Sequence, residues 1–139
     1  MNRDRLLAQL IVDEGLITFA YQDSLGYWTI GIGTLIDKRK GGGLTVDECK
    51  MLALNRIDQT AARLDQAFPV WRELSDVRQE SLLNMAFNLG VAGVMDFKKM
   101  LAAIQSRDYV QAAAEMRASV WAGQVGPRAL RLAEMMEKG

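Results

Sequence analysis

The chain opens with helical spacing over residues 3–13, where Leu6, Leu7, Leu10 and Ile11 recur on one face. Gly15 follows at the place of a left-handed C-cap, which makes Glu14 the last side chain of that helix. From Ile17 to Leu35 the period changes. The run ITFAYQDSLGYWTIGIGTL is rich in β-branched and aromatic residues, and its DSLG carries Asp first and Gly fourth, as a type I turn prefers. ITFAY and YWTIGIGTL are expected to pair as a β-hairpin. Alternation puts Tyr27, Thr29, Gly31 and Gly33 on one face of the second strand. Trp28, Ile30 and Ile32 take the other, the side expected to pack. Two glycines beside a threonine leave a bare strip, and glycine within a strand often marks close approach by a ligand or another backbone.

The polar run DKRKGGG at 37–43 reads as a connector with little room for a third strand. Thr45 and Glu48 then form a capping box, the start of a long helix. Its stripe is Leu54, Ile57, Ala61, Leu64 and Phe68, and Pro69 ends it. Further helices are expected at about 70–80, 80–89, 94–105, 108–120 and 128–138. The breaks fall at Gly90-Val91-Ala92-Gly93, Ser106-Arg107-Asp108 and Gly123-Gln124-Val125-Gly126-Pro127. The outline is an α+β fold with its strands segregated. A small β-lobe, about 14–45, is joined by a connecting helix, about 45–68, to a helical lobe. That lobe spans about 69–139 together with the N-terminal helix 3–13.

Composition narrows the chemistry. The 139 residues hold no histidine and one cysteine, and 17 basic side chains balance 17 acidic ones. An imidazole base, a Ser-His-Asp triad, a His-ligated metal and a Cys-rich zinc cage are all excluded. Zero net charge offers no global attraction to nucleic acid or to an anionic membrane. The balance is even along the chain: seven basic and eight acidic residues over 1–60, ten and nine over 61–139. The apolar run in MNRDRLLAQLIVDEGL is too short for a signal-peptide core, and no window reaches a membrane span. The expectation is a single soluble domain made in a cytoplasm, with no membrane anchor. Cys49 reads as an ordinary free thiol, and Lys38, Arg39 and Lys40 as a small solvated basic loop.

Catalysis must then run on carboxylates, hydroxyls or amides. Glu14 sits where a helix dipole is negative, and Asp13 adds a second carboxylate beside it. Asp23 opens the hairpin turn, and Thr29 stands in the second strand. Taken alone, Asp23 is an ordinary turn aspartate and Thr29 an ordinary β-former. Taken together with Glu14, they supply the pair of carboxylates that glycosidic hydrolysis needs, with no metal or cofactor.

The spacing itself is specific. Glu14, eight residues, Asp23, five residues and Thr29 resemble the catalytic Glu/Asp/Thr set of the phage T4-type lysozymes, glycoside hydrolase family 24. EGL at 14–16, YQDSLGYWTIGIGTL at 21–35, NMAFNLG at 84–90 and SVWAGQVGPRALR at 119–131 are similar to that family's segments, in its order. The resemblance covers essentially the whole chain and implies one lysozyme-like domain over 1–139. It implies a muramidase hydrolysing the β-1,4 bond between N-acetylmuramic acid and N-acetylglucosamine in bacterial peptidoglycan, with inversion. Glu14 would be the general acid. Asp23 would position and activate water, and Thr29 would hold it. Arg128 matches the family arginine paired with the catalytic glutamate. Gly33, Leu35, Phe87, Asn88 and Gln124 match substrate-binding or supporting positions. Core packing is the competing expectation for Leu35, Phe87 and Trp121.

The resemblance further implies a monomer that uses no cofactor or metal, binds no nucleic acid, and meets the cell wall from the periplasm after a holin gives access. Host lysis by a phage is the implied setting. A non-catalytic wall-binding or virion module that keeps the fold is the alternative. A transglycosylase is a third possibility, one that needs the glutamate but no Asp/Thr water site. Thr34 stands where the family often has histidine, a departure expected to bear on stability.

Overall fold

The computed structural model describes residues 2–36 and 43–139. The basic loop of Lys38, Arg39 and Lys40 lies outside the described residues. The chain divides into two compact units, Met1–Leu52 and Ala53–Gly139. The first holds a helix and a small sheet, and the second is helical. The architecture is therefore α+β and lysozyme-like, as expected. Among the described residues, no helix is long and apolar enough to cross a membrane.

Helix α1, Arg3–Glu14, is capped by Asn2, whose side chain accepts from the Arg5 N–H at 2.9 Å. It ends on Gly15, which has the expected positive φ of 78° but an extended ψ of 170°, not a left-handed cap. None of its residues is buried. Strands β1, Ile17–Gln22, β2, Trp28–Gly31, and β3, Thr34–Leu35, form an antiparallel sheet in the order β1-β2-β3. The expected second strand, 27–35, is thus two strands, and a third strand does form. Gly31, the last residue of β2, and Gly33 have φ of 70° and 63°, outside the usual β region, so the chain turns there between β2 and β3. The expected packed face is not buried: Trp28, Ile30 and Ile32 are only partly so, and Thr29 on the other face is the one buried residue of the stretch 27–33. Thr29 is central, paired with Tyr21 on one side and Leu35 on the other. Its flanking strands cover a small side chain, but a sheet this short cannot cover a tryptophan.

Helix α2, Val46–Ala67, starts at the expected capping box. Glu48 accepts from the Thr45 N–H and hydroxyl, both at 2.8 Å, and the Glu48 N–H returns a bond to the Thr45 hydroxyl. Those bonds hold the Glu48 carboxyl below its usual range. Only the later part of the expected α2 stripe packs: Leu64 is fully buried and Ala61 partly, whereas Leu54 stays 61% exposed.

A 3-10 turn, Pro69–Glu73, replaces the first of the expected helices. Helix α3, Asp76–Met95, begins at the Ser75 cap and is kinked at Gly90, where φ is 78° and ψ 156°. The expected helix 94–105 is shorter, α4 at Lys98–Gln105, and 108–120 becomes α5, Tyr109–Arg117. An unexpected helix, α6, spans Val120–Val125 from the Ser119 cap. Its start was hidden because no apolar period survives over six residues. Helix α7, Pro127–Lys138, follows the expected Gly126-Pro127 break.

The helical unit closes on α7, which packs against α3 and α5. Ala129, Leu132, Ala133 and Met136 form its buried stripe at i, i+3, i+4 and i+7. The Ser81 hydroxyl, itself buried, donates to the Leu132 carbonyl at 2.7 Å. Arg78 ties three helices together. It donates to the carbonyls of Met136 and Glu137 at the end of α7, where the dipole favours a cation, and lies 3.7 Å over the Tyr109 ring.

A surface pair carries a pH prediction. Both oxygens of Asp65 accept from Arg72, at 2.7 and 3.0 Å, and Oδ1 also accepts from the Trp71 indole. The Arg72 bonds hold the Asp65 carboxyl below its ordinary 3.8. A carboxyl lowered in the folded state stabilises the protein above its unfolded value, and that contribution fades as pH falls through the folded one. Thermal melts of Asp65→Asn should therefore lose less stability than wild type between about pH 5 and pH 2. Parallel acid limbs would contradict this.

Candidate active site

In the first unit, Glu14 and Gly33 meet. A Cβ built on Gly33 would lie 2.6 Å from Glu14 Oε2 and 3.0 Å from its carboxyl carbon. The carboxyl of Glu14 therefore occupies the space that any side chain at 33 would take. Glu14 itself is exposed, the last residue of α1. The neighbour at Gly33 is a side chain, and a Cβ built on Gly31 has nothing within 4 Å.

Asp23 and Thr29 are linked through one residue. Asp23 Oδ1 accepts from the N–H groups of Leu25 and Tyr27, both at 2.9 Å. The Thr29 hydroxyl donates to the Tyr27 carbonyl at 3.2 Å. The turn role of Asp23 is thus filled by Oδ1, which leaves Oδ2 for another partner. With the Thr29 hydroxyl hydrogen directed to the Tyr27 carbonyl, its oxygen is left to accept from an incoming water. Leu35 is paired with Thr29 in register and is 45% exposed, which rules out core packing for it.

Gly33→Ala gives a direct test of the Glu14 geometry. An alanine at φ 63° costs roughly 1–2 kcal/mol of backbone strain. Its methyl also displaces the Glu14 carboxyl, and an ångström of misplacement can cost on the order of a hundredfold in rate. Any reaction that uses the Glu14 carboxyl should slow by at least about tenfold in this variant. Unchanged turnover would show that the contact has no part in the chemistry.

In the helical unit, a groove of about 500 Å³ is lined by Glu80, Asn84 and Phe87 of α3, Arg128 of α7, and the apolar Ile57, Leu83 and Met135 among others. Phe87 is 46% exposed in it, so it too is not a core residue. Arg128 is held by Asn84: Nε and one terminal nitrogen donate to Asn84 Oδ1 at 3.0 and 2.6 Å, and that nitrogen reaches the Asn84 carbonyl at 3.2 Å. Asn84 carried no signal of its own in the sequence beyond its place in the NMAFNLG segment.

Trp121 is buried, as core packing required, and its ring meets Phe97 edge-on at 6.4 Å. Its indole N–H donates to Asn88 Oδ1 at 2.9 Å. That bond fixes which way the Asn88 amide faces and leaves its NH₂ group to donate outward. Asn88 is exposed in the last turn before the Gly90 kink. Gln124 is exposed on α6 and does not line the groove.

Comparison with known proteins fits this inventory. The family model described as Phage lysozyme matches residues 12–133. The chain is 29% identical to Probable T4-type lysozyme 1 of Dictyostelium discoideum, covering 91% of this chain and 90% of that one. Probable T4-type lysozyme 2 of the same organism is also 29% identical, with the same coverage. The Pre-baseplate central spike protein Gp5 of Enterobacteria phage T4 is 32% identical over 91% of this chain, which spans only 26% of that longer protein. A match over this much of the sequence, on an α+β fold that seats a carboxylate over a glycine at its first helix end, leaves one assignment: the chain belongs to the phage lysozyme family, the T4-type lysozymes.

Proposed function

We propose that this lysozyme hydrolyses the β-1,4 bond between N-acetylmuramic acid and N-acetylglucosamine, with inversion. The observation that carries the reading is the Glu14 carboxyl seated over Gly33 at the end of α1. An exposed carboxyl at a helix end is accessible for proton delivery to a leaving glycosidic oxygen. Asp23 Oδ2 takes a proton from the attacking water. The Thr29 oxygen accepts that water's other hydrogen, which turns a water lone pair toward the anomeric carbon. The hydroxide equivalent bonds to that carbon as its bond to the leaving oxygen breaks, and Glu14 protonates that oxygen. An inverting enzyme keeps its carboxyls about 6.5–9.5 Å apart to admit the water. The further residues we assign to saccharide binding are Leu35 of the first unit, by its apolar surface, and in the second unit Phe87, by its apolar surface, Asn88 and Gln124, by their amides, and Arg128, by its charge.

Reducing-end release from purified peptidoglycan, read with mass spectrometry of the products, tests this. Saturated reducing ends support hydrolysis. Anhydro-muramic ends would convert the reading to a transglycosylase, and binding without release would convert it to a wall-binding module.

The setting we propose is phage-driven host lysis by a monomer that a holin admits to the wall. The likeness to a baseplate spike protein favours a second setting, in which the domain is carried on a virion. Zero net charge bears on either one. Long-range attraction to an anionic wall polymer is small, so activity should change less than about threefold between 0.05 and 0.2 M salt. A steep fall would instead point to binding through local basic groups.

A further inference from the structure

We draw no further inference here: the strongest candidate, the groove of the second unit that Ile57 of α2, Glu80 and Leu83 of α3, and Arg128 and Met135 of α7 line, is an apolar face with a charged rim, and nothing in the structure shows what covers it.

Discussion

Glu14→Gln is expected to lower peptidoglycan hydrolysis by about a hundred- to ten-thousandfold, the usual worth of a general acid. Glutamine has nearly the shape of glutamate and keeps the place above Gly33 that the structure gives the carboxyl. It carries no acidic proton, so the leaving oxygen must depart unprotonated or draw a proton from water. Glu14 is exposed at a helix end and no buried group depends on it, so the melting temperature should stay within a few degrees. The contrast between rate and stability is the informative part. Reducing-end release from purified peptidoglycan gives the first quantity and calorimetry the second. Near-normal release by the variant would remove Glu14 from the mechanism.

Trp121→Ala should have the largest effect on stability, about 3–5 kcal/mol, or roughly 10–20 °C in melting temperature. The indole is 3% exposed, packed edge-on against Phe97, and its N–H is satisfied by Asn88. Alanine leaves a cavity among residues that α5, α6 and α7 hold in place, and it leaves the Asn88 amide free to turn. Trp121→Phe separates the two effects. It retains an aromatic ring but loses the hydrogen bond and part of the buried volume, so it should cost about 1–3 kcal/mol, less than alanine, and under the proposed role of Asn88 it should raise KM. Denaturant melts and KM on peptidoglycan read the two quantities. Equal stability losses for the alanine and phenylalanine variants would mean that the bond, not the packing, holds this corner together.

Local signals in the chain were strong wherever a side chain acts on its own backbone. Thr45 and Glu48 declare the start of α2, Asp23 and Gly26 the hairpin turn, and Gly126-Pro127 the start of α7. Glu14, Asp23 and Thr29 each carried only a weak signal alone, and it is their spacing, by its resemblance to the family's set, that joins them as the proposed catalytic residues. Residues whose role depends on a distant partner were not legible. Asn84 is one side chain on a helix until Arg128, 44 positions later, is brought beside it. Phe87 and Leu35 could by type be core residues or surface ones, and their exposure in the fold decides against the core.

By itself the sequence determined the fold class, the order of the main elements and the chemistry left to the protein, because composition, periodicity and capping are local properties. It also carried the family, because four separated segments agree in kind and order. The tertiary structure decided where the backbone cannot stay regular and which faces are covered. Gly31 and Gly33 could have been strand residues. Positive φ at both turns the chain into a third strand and seats the Glu14 carboxyl over one of them. Thr29 could have faced solvent, but pairing on both sides buries it and commits its hydroxyl hydrogen to Tyr27. These outcomes depend on contacts between residues far apart in the chain, and such contacts are settled by packing and hydrogen-bond satisfaction, not by local preference.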